Sequence, residues 1–309
     1  MPELPEVETV RRELAPWLTG RTVLAVERVD APIGPKTAGL ERAIGQRIEA
    51  VTRRGKFLLL PLRPASARTS PLPAGTAADA DAGGDELVVH LGMTGVLSPR
   101  PPVAHLRLLL RLDGGWPDVL YVQDARRFGR VLVVPRGDYR ALPTLAAMGP
   151  EPLGDAFTVT AFAAALARSA QPVKAFLLSQ RPVAGVGNIY ADEALWRARV
   201  HPASPARALS RPKVRALHAA IREVLAAAVE LQGTTLYDYR TVNGEVGAYL
   251  EQLDAYGHDG DPCPRCGTPL VRSVVGQRGT HHCPRCQRRA RSDASARRRR
   301  DRSMPGGAR

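Results

Sequence analysis

Met1-Pro2-Glu3-Leu4-Pro5-Glu6-Val7-Glu8-Thr9 opens the chain. A small second residue lets an initiator methionine be clipped, so the mature chain is expected to begin at Pro2. Its nitrogen is then a free secondary amine with a pKa of roughly 8. The unprotonated fraction at neutral pH is a nucleophile for a carbon such as a sugar C1′, and it can form an iminium as catalytic lysines do. Glu3, beside it, can deliver or accept a proton at the same centre. The same residues also suit a plain helix start, with Pro2 and Pro5 opening it and Glu3, Glu6 and Glu8 complementing its macrodipole. Val7, Val10, Leu14 and Trp17 recur at helical spacing, which predicts a leading helix.

Strand-like runs follow at 22–29, 47–52, 57–62, 86–90, 106–112, 119–122 and 130–135, most of them separated by turn signals. They predict a β-rich domain over residues 1–135. Within it, residues 64–84 shift to Pro, Ala, Ser, Thr, Gly and Asp, which reads as an extended surface insertion without assigned chemistry. After a linker at 136–150 the pattern turns helical over 151–252. Ala- and Leu-rich segments at 161–168, 173–179, 189–199 and 213–231 are broken at Gly185, Pro202 and Gly233. A cysteine module at 253–287 and an Arg-rich tail at 288–309 complete an α+β chain.

Length and charge narrow the function classes. A chain of 309 residues is long enough for two sizeable cores. Its 44 Lys+Arg against 30 Asp+Glu leave +14, an excess that points to a polyanionic partner, with nucleic acid the default. Nine arginines against two aspartates at 288–309 account for +7, and the run Arg297-Arg298-Arg299-Arg300 reads as a disordered tail. The other +7 stays on the folded body, so nucleic-acid affinity need not rest on the tail. No stretch approaches the roughly 20 apolar residues of a membrane span. The start lacks a basic segment followed by an apolar one, so export is not expected, and the cytoplasm is.

Cys263-Pro-Arg-Cys266 and Cys283-Pro-Arg-Cys286 are separated by sixteen residues. Two such knuckles fit one tetrahedral, four-thiolate structural zinc, with no open position for an activated water. Gly185-Val186-Gly187-Asn188 runs directly into a helix, whose N-terminus offers N–H groups to phosphate. A dinucleotide fold is disfavoured there, because the third glycine and a preceding βαβ unit are both missing.

Taken together, these segments resemble the bacterial formamidopyrimidine-DNA glycosylase family, relatives of endonuclease VIII. Besides the amino terminus, the resemblance is carried by Arg53 to Leu60, His90 to Gly95, Asp124 to Gly129, Gly185 to Glu193 and Cys263 to Cys286, in family order. The sister branch typically opens Pro-Glu-Gly-Pro-Glu, so Leu4 favours the oxidised-purine branch. The resemblance implies an N-terminal β-sandwich, a helix–two-turn–helix domain and a zinc-finger hairpin. It implies Pro2 as nucleophile, Glu3 as proton carrier, and Lys56 and Arg278 as holders of the phosphates flanking the lesion. A glycosylase extrudes a nucleotide, and side chains must fill the vacated stack. By resemblance these are Met93, Arg126 and Phe128, with Arg126 able to bond the orphaned cytosine. His105, Lys174 and Asn188 are implied as contacts to the DNA backbone. The segment from Thr234 to Gly247 would border the damaged base.

The expected activity is a bifunctional glycosylase and abasic-site lyase, monomeric, acting on 8-oxoguanine and formamidopyrimidines in double-stranded DNA with one structural zinc. Two other readings stay open: an endonuclease-VIII-like preference for oxidised pyrimidines, and a non-enzymatic zinc-ribbon DNA-binding protein. Leu4, Met93 and the Arg126/Phe128 wedge argue against the first. Pro2 with Glu3 argues against the second, since a binder has no need of a processed amine.

Overall fold

A computed structural model describes residues 2–66, 83–235 and 240–290. Most of the insertion and of the Arg-rich tail, together with Tyr237 and Tyr239, lies outside the described residues. Contacts divide the chain into two compact units, residues 1–147 with 228–250 and residues 148–227 with 251–309. The segment 228–250 therefore groups with the first unit, whereas the sequence division ran the helical domain through to 252.

The first unit opens with helix α1 (Leu4–Leu18), three residues earlier than the apolar spacing predicts. The extension has a local cause. Glu3 is the N-cap, its side chain accepts the Glu6 N–H, and the Glu6 carboxylate accepts the Glu3 N–H at 2.7 Å. This reciprocal capping box satisfies two donors that a helix start otherwise leaves unpaired. Val7, Val10, Leu14 and Leu18 then form a buried stripe that joins the core of a two-sheet sandwich.

One sheet has the order β1 (Val23–Arg28), β7 (Leu106–Leu112), β8 (Val119–Asp124), β6 (Gly95–Ser98). The other runs β2 (Gln46–Ile48), β4 (Phe57–Pro64), β5 (Asp85–His90), β9 (Arg130–Pro135), with β3 (Thr52–Arg54) also paired to β4. Every pairing is antiparallel. Leu58, Leu60 and Leu62 alternate along β4 into the core, opposed by Leu108, Leu110 and Leu112 of the other sheet. Two details differ from the sequence reading. The run at 47–52 is two short strands on one partner, and β6 was not anticipated, because four residues starting at a glycine give too little alternation to read.

A single turn, α2 (Pro143–Ala146), belongs to the first unit, and the second contains α3 (Val159–Ala167), α4 (Val173–Leu178), α5 (Asn188–Arg197) and most of α6 (Arg211–Glu230). Thr158 caps α3 by accepting the Ala161 N–H. Val214, Leu217, Ile221, Val224 and Leu225 supply the buried stripe of α6. An antiparallel hairpin of β10 (Val271–Val275) and β11 (Arg278–His282) lies between the two cysteine pairs. A sandwich with a leading helix, a helical region and a zinc-type hairpin is the α+β architecture expected from sequence.

Candidate active site

Pro2 and Glu3 are both buried at the start of α1. The capping box fixes the Glu3 backbone and orients its carboxylate. Glu6, which sequence reasoning left out of the site, does more than cap. Its Oε1 accepts the Thr234 N–H at 2.7 Å, and Gly233 presses against the same carboxylate. A Cβ on Gly233 would sit 2.5 Å from that oxygen, and φ there is +83°, so only glycine fits. Farther along α1, the Glu13 carboxylate accepts the Val242 and Asn243 N–H groups. Two acids of α1 thus pin the described ends of the segment from Thr234 to Gly247. The sequence shows the acids, but a contact across more than 220 residues leaves no periodic signal.

Lys56 occupies the tight turn between β3 and β4, where Arg54 pairs with Phe57 and Gly55 takes a φ of +56°. Lys56 is 7% exposed. The turn is tied to α1 through Arg53, whose Nε donates to Glu8 at 2.9 Å and whose Nη1 donates to the Gly55 carbonyl. Burial pushes the Glu8 carboxyl up, but hydrogen bonds from Arg11 and Arg53 outweigh it, and the net shift is downward. Glu8 is therefore ionised at neutral pH and holds the Lys56 turn and the Pro2 helix as one piece. His90 packs its ring 4.6 Å from that of Phe57. Burial, then the charges of Lys56 and Arg130, push it down to about 4, so it is neutral at pH 7.

Met93 and the Arg126–Phe128 segment sit on adjoining turns of the first unit. Thr94 Oγ1 donates to Asp124 Oδ1 at 2.6 Å and accepts the Arg126 N–H, while Asp124 Oδ2 accepts the Gly129 N–H at 2.7 Å. The turns approach so closely that a Cβ on Gly92 would lie 2.6 Å from the Gly129 nitrogen and the Phe128 carbonyl carbon. Phe128 is 48% exposed, and the Arg126 guanidinium lies 5.0 Å from its ring centroid. Met93 is half-buried. His105 is exposed at the entry to β7, with a φ of +60° that is uncommon outside glycine.

In the second unit, Asn188 is the first residue of α5. It is half-buried, and its Oδ1 finds no hydrogen-bond partner among the described residues. The loop before it is organised by Gln180, a residue unremarked in the sequence. Its Nε2 donates to the Leu178 and Val186 carbonyls, and its Oε1 accepts the Gly185 N–H.

Lys174 lies inward. The resemblance implies a contact with DNA phosphate, yet the side chain is fully buried. Its Nζ lies 2.7 Å from Asp192 and donates to the Gly279 carbonyl and to Thr280 Oγ1, both at 2.9 Å. Two hydrogen bonds and one ion pair thus hold the ammonium inside the second unit. Asp192 in turn accepts the His281 N–H at 2.9 Å. The pair clamps β11, whose first residue is Arg278, exposed beside the Gly276-Gln277 turn. Glu193, one residue on, accepts the N–H groups of Asp254, Ala255 and Tyr256 and so anchors the entry to the cysteine module.

The four cysteine Sγ atoms lie within 4.8 Å of one another. Zinc–sulfur bonds of roughly 2.3 Å place tetrahedral sulfurs about 3.8 Å apart, so the cluster fits one zinc ion. Cys263 and Cys283 are buried against Trp196, Ala255 and Leu270, which makes the site part of a small core. With four thiolates it holds the hairpin and leaves no place for substrate.

Similarity to known proteins covers nearly all of the chain. The Formamidopyrimidine-DNA glycosylase N-terminal domain model matches residues 1–131, and the H2TH domain model of the same enzyme matches 148–240. A zinc finger found in FPG and IleRS matches 260–289. The chain is 49% identical to the formamidopyrimidine-DNA glycosylase of Deinococcus radiodurans over 304 residues, covering 96% of this chain and 100% of the relative. It is 50% identical to that of Thermus thermophilus, covering 93% and 98%. The crystal structure of MutM (Fpg) from Thermus thermophilus superposes with a TM-score of 0.80 at 48% identity, covering 94% of this chain and all of that one. A Lactococcus lactis FPG mutant in complex with a Fapy-dG containing DNA gives 0.77 at 31% identity, covering 93% of this chain and all of that one. From helix start to zinc module, this chain belongs to the formamidopyrimidine-DNA glycosylase family.

Proposed function

We propose that the protein is a bifunctional DNA glycosylase and abasic-site lyase that removes oxidised purines in base excision repair. The observation that carries this reading is the joining of Pro2, Glu3 and the Lys56 turn to one helix end by Glu6, Glu8 and Arg53. With Met1 removed, the Pro2 nitrogen attacks C1′ of an extruded nucleotide. The bond from C1′ to the base nitrogen breaks with its electron pair going to the base, and a proton delivered by Glu3 assists opening of the sugar ring. The resulting iminium acidifies the C2′ proton. Its loss expels the 3′ phosphate, and a second elimination expels the 5′ phosphate, leaving a one-nucleotide gap.

Lys56 and Arg278 hold the flanking phosphates in this scheme, Arg278 as a bidentate fork and Lys56 as a point charge. Met93, Arg126 and Phe128 fill the space left by the extruded nucleotide. Support for that role comes from the exposure of Phe128 and from the Asp124 network that fixes its turn. Asn188, at the start of α5, meets the DNA backbone together with the helix N–H groups. His105, exposed at the surface, is a further phosphate contact. Lys174 acts at one remove, by positioning Arg278. Zinc, when bound, supplies the fold of the hairpin and no step of the chemistry. One chain carries every group named, so the protein works as a monomer on nucleoid DNA in the cytoplasm.

Single-turnover reaction with a duplex containing 8-oxoguanine opposite cytosine tests the reading. Base release with a product bearing phosphate on both sides of a gap is expected. Binding without strand cleavage would favour the zinc-ribbon binder. Cleavage confined to oxidised pyrimidines would favour the endonuclease-VIII-like branch.

A further inference from the structure

Between the two sheets of the first unit lies a cavity of about 420 Å3. It is roofed by the strap at residues 31–37 and bordered by Arg127 and Gly129 of the wedge turn. Its size falls within the range of about 300–1,000 Å3 typical of small-molecule sites. The walls are aliphatic: Val89 and Val131 from one sheet, Leu108 and Val122 from the other, all buried. Water gains little against such walls, so an apolar occupant that displaces it is favoured there. None of Pro2, Glu3 or Lys56 lines it.

The rim is basic. Lys36, Arg107, Arg127 and Arg130 all line the cavity. Asp30 holds both Arg107 and Arg127, while Lys36 Nζ donates to the Arg127 carbonyl at 2.6 Å. Among the described residues the one carboxylate lining the cavity, Asp124, is engaged by Thr94 and the Gly129 N–H. Counting Asp30 and Asp124 against the four cations leaves a surplus of +2. Arg130 has no ion-pair partner among the described residues. An apolar chamber with a cationic mouth selects a ligand with the opposite layout.

We propose that this cavity binds a small amphipathic monoanion, an aromatic or aliphatic body bearing one carboxylate or sulfonate, with the anion at Arg130 and the body between the sheets. The site requires nothing of the Pro2 chemistry and stands or falls apart from it.

The test uses the full chain with 8-anilinonaphthalene-1-sulfonate as probe and N-phenyl-1-naphthylamine as its uncharged counterpart. Fluorescence titration should show one saturable site per chain, with the uncharged compound at least tenfold weaker. Methyl NMR shifts should centre on Val89, Leu108, Val122 and Val131. Val122→Phe, which fills the chamber, should abolish binding. If that variant does not fold, Arg130→Gln decides alone: it should weaken the sulfonate about tenfold and leave the uncharged compound unchanged. Methyl shifts centred elsewhere, equal affinity for both compounds, or undiminished sulfonate binding by either folded variant would overturn the proposal.

Discussion

Two surface turns present the side chains proposed to meet DNA, and the molecule holds them in unlike ways. In the first unit, the Arg126–Phe128 turn hangs on Asp124, whose partners are a hydroxyl and a backbone N–H. In the second, the Arg278 hairpin hangs on the Lys174–Asp192 ion pair, both side chains fully buried, and on the four-cysteine site. The difference is one of cost. Removing a partner from a hydrogen-bonded network forfeits about 1–3 kcal/mol, whereas stranding a buried charge forfeits about 3–5 kcal/mol. The wedge turn can therefore yield locally, while the hairpin is held in an all-or-none fashion. That contrast suits the roles proposed for them, a wedge entering a base stack and an arginine waiting at a fixed phosphate.

The largest effect is expected at the metal. Zinc binding in small four-ligand modules contributes roughly 10–16 kcal/mol of apparent folding free energy. Cys283→Ser should therefore lose the bound zinc and DNA binding together, while the sandwich of the first unit keeps its unfolding transition. Metal analysis of purified protein showing no zinc alongside full activity would remove the contrast altogether.

Next comes the ion pair. Lys174→Met leaves the Asp192 carboxylate buried without its cation and should destabilise the second unit by about 3–5 kcal/mol in denaturant unfolding. Adding Asp192→Asn should recover part of the loss, because the stranded charge is then gone. A loss under about 1 kcal/mol for Lys174→Met would show that the hairpin is held by zinc alone. Asp124→Ala should cost less, about 1–3 kcal/mol, by leaving the Thr94 hydroxyl and the Gly129 N–H unsatisfied. Excision should slow in this variant while zinc content stays unchanged. A cost equal to that of Lys174→Met would erase the distinction between the two turns.

The smallest effect is a pH dependence of the first unit. His90 is held down to about 4 against an ordinary value of 6.5, chiefly by burial and then by Lys56 and Arg130. The unfolded chain takes up that proton first. The stability associated with neutral His90 is thus complete above pH 6.5 and lost as the pH falls toward 4. His90→Asn should remove about one proton from the pH slope of unfolding across that window. An unchanged slope would show that His90 is solvated in the folded state.

How much of this was legible beforehand depends on the range of each interaction. The α1 stripe, the alternating strands and the paired cysteines are local patterns, and the structure contains each of them. The partners that hold the site are not local. Glu6 reaches Thr234, Arg53 reaches Glu8, and Lys174 reaches Gly279 and Thr280. A basic residue near a matched segment reads as a DNA contact whether it faces outward or, like Lys174, inward. Only burial separates the two. Gln180 shows the same limit, because nothing in its neighbourhood marks a glutamine that will bond three backbone groups of one loop.

The terminal amine is where the chemistry is most exposed to a direct measurement. Borohydride reduction of protein mixed with an 8-oxoguanine:cytosine duplex, followed by intact mass and peptide mapping, reads the covalent intermediate itself. Protein with Pro2 as its first residue should be trapped on that residue, and protein carrying an extra residue ahead of Pro2 should not be trapped at all. Equal trapping of both forms, or an adduct mapped to Lys56, would contradict Pro2 as the nucleophile.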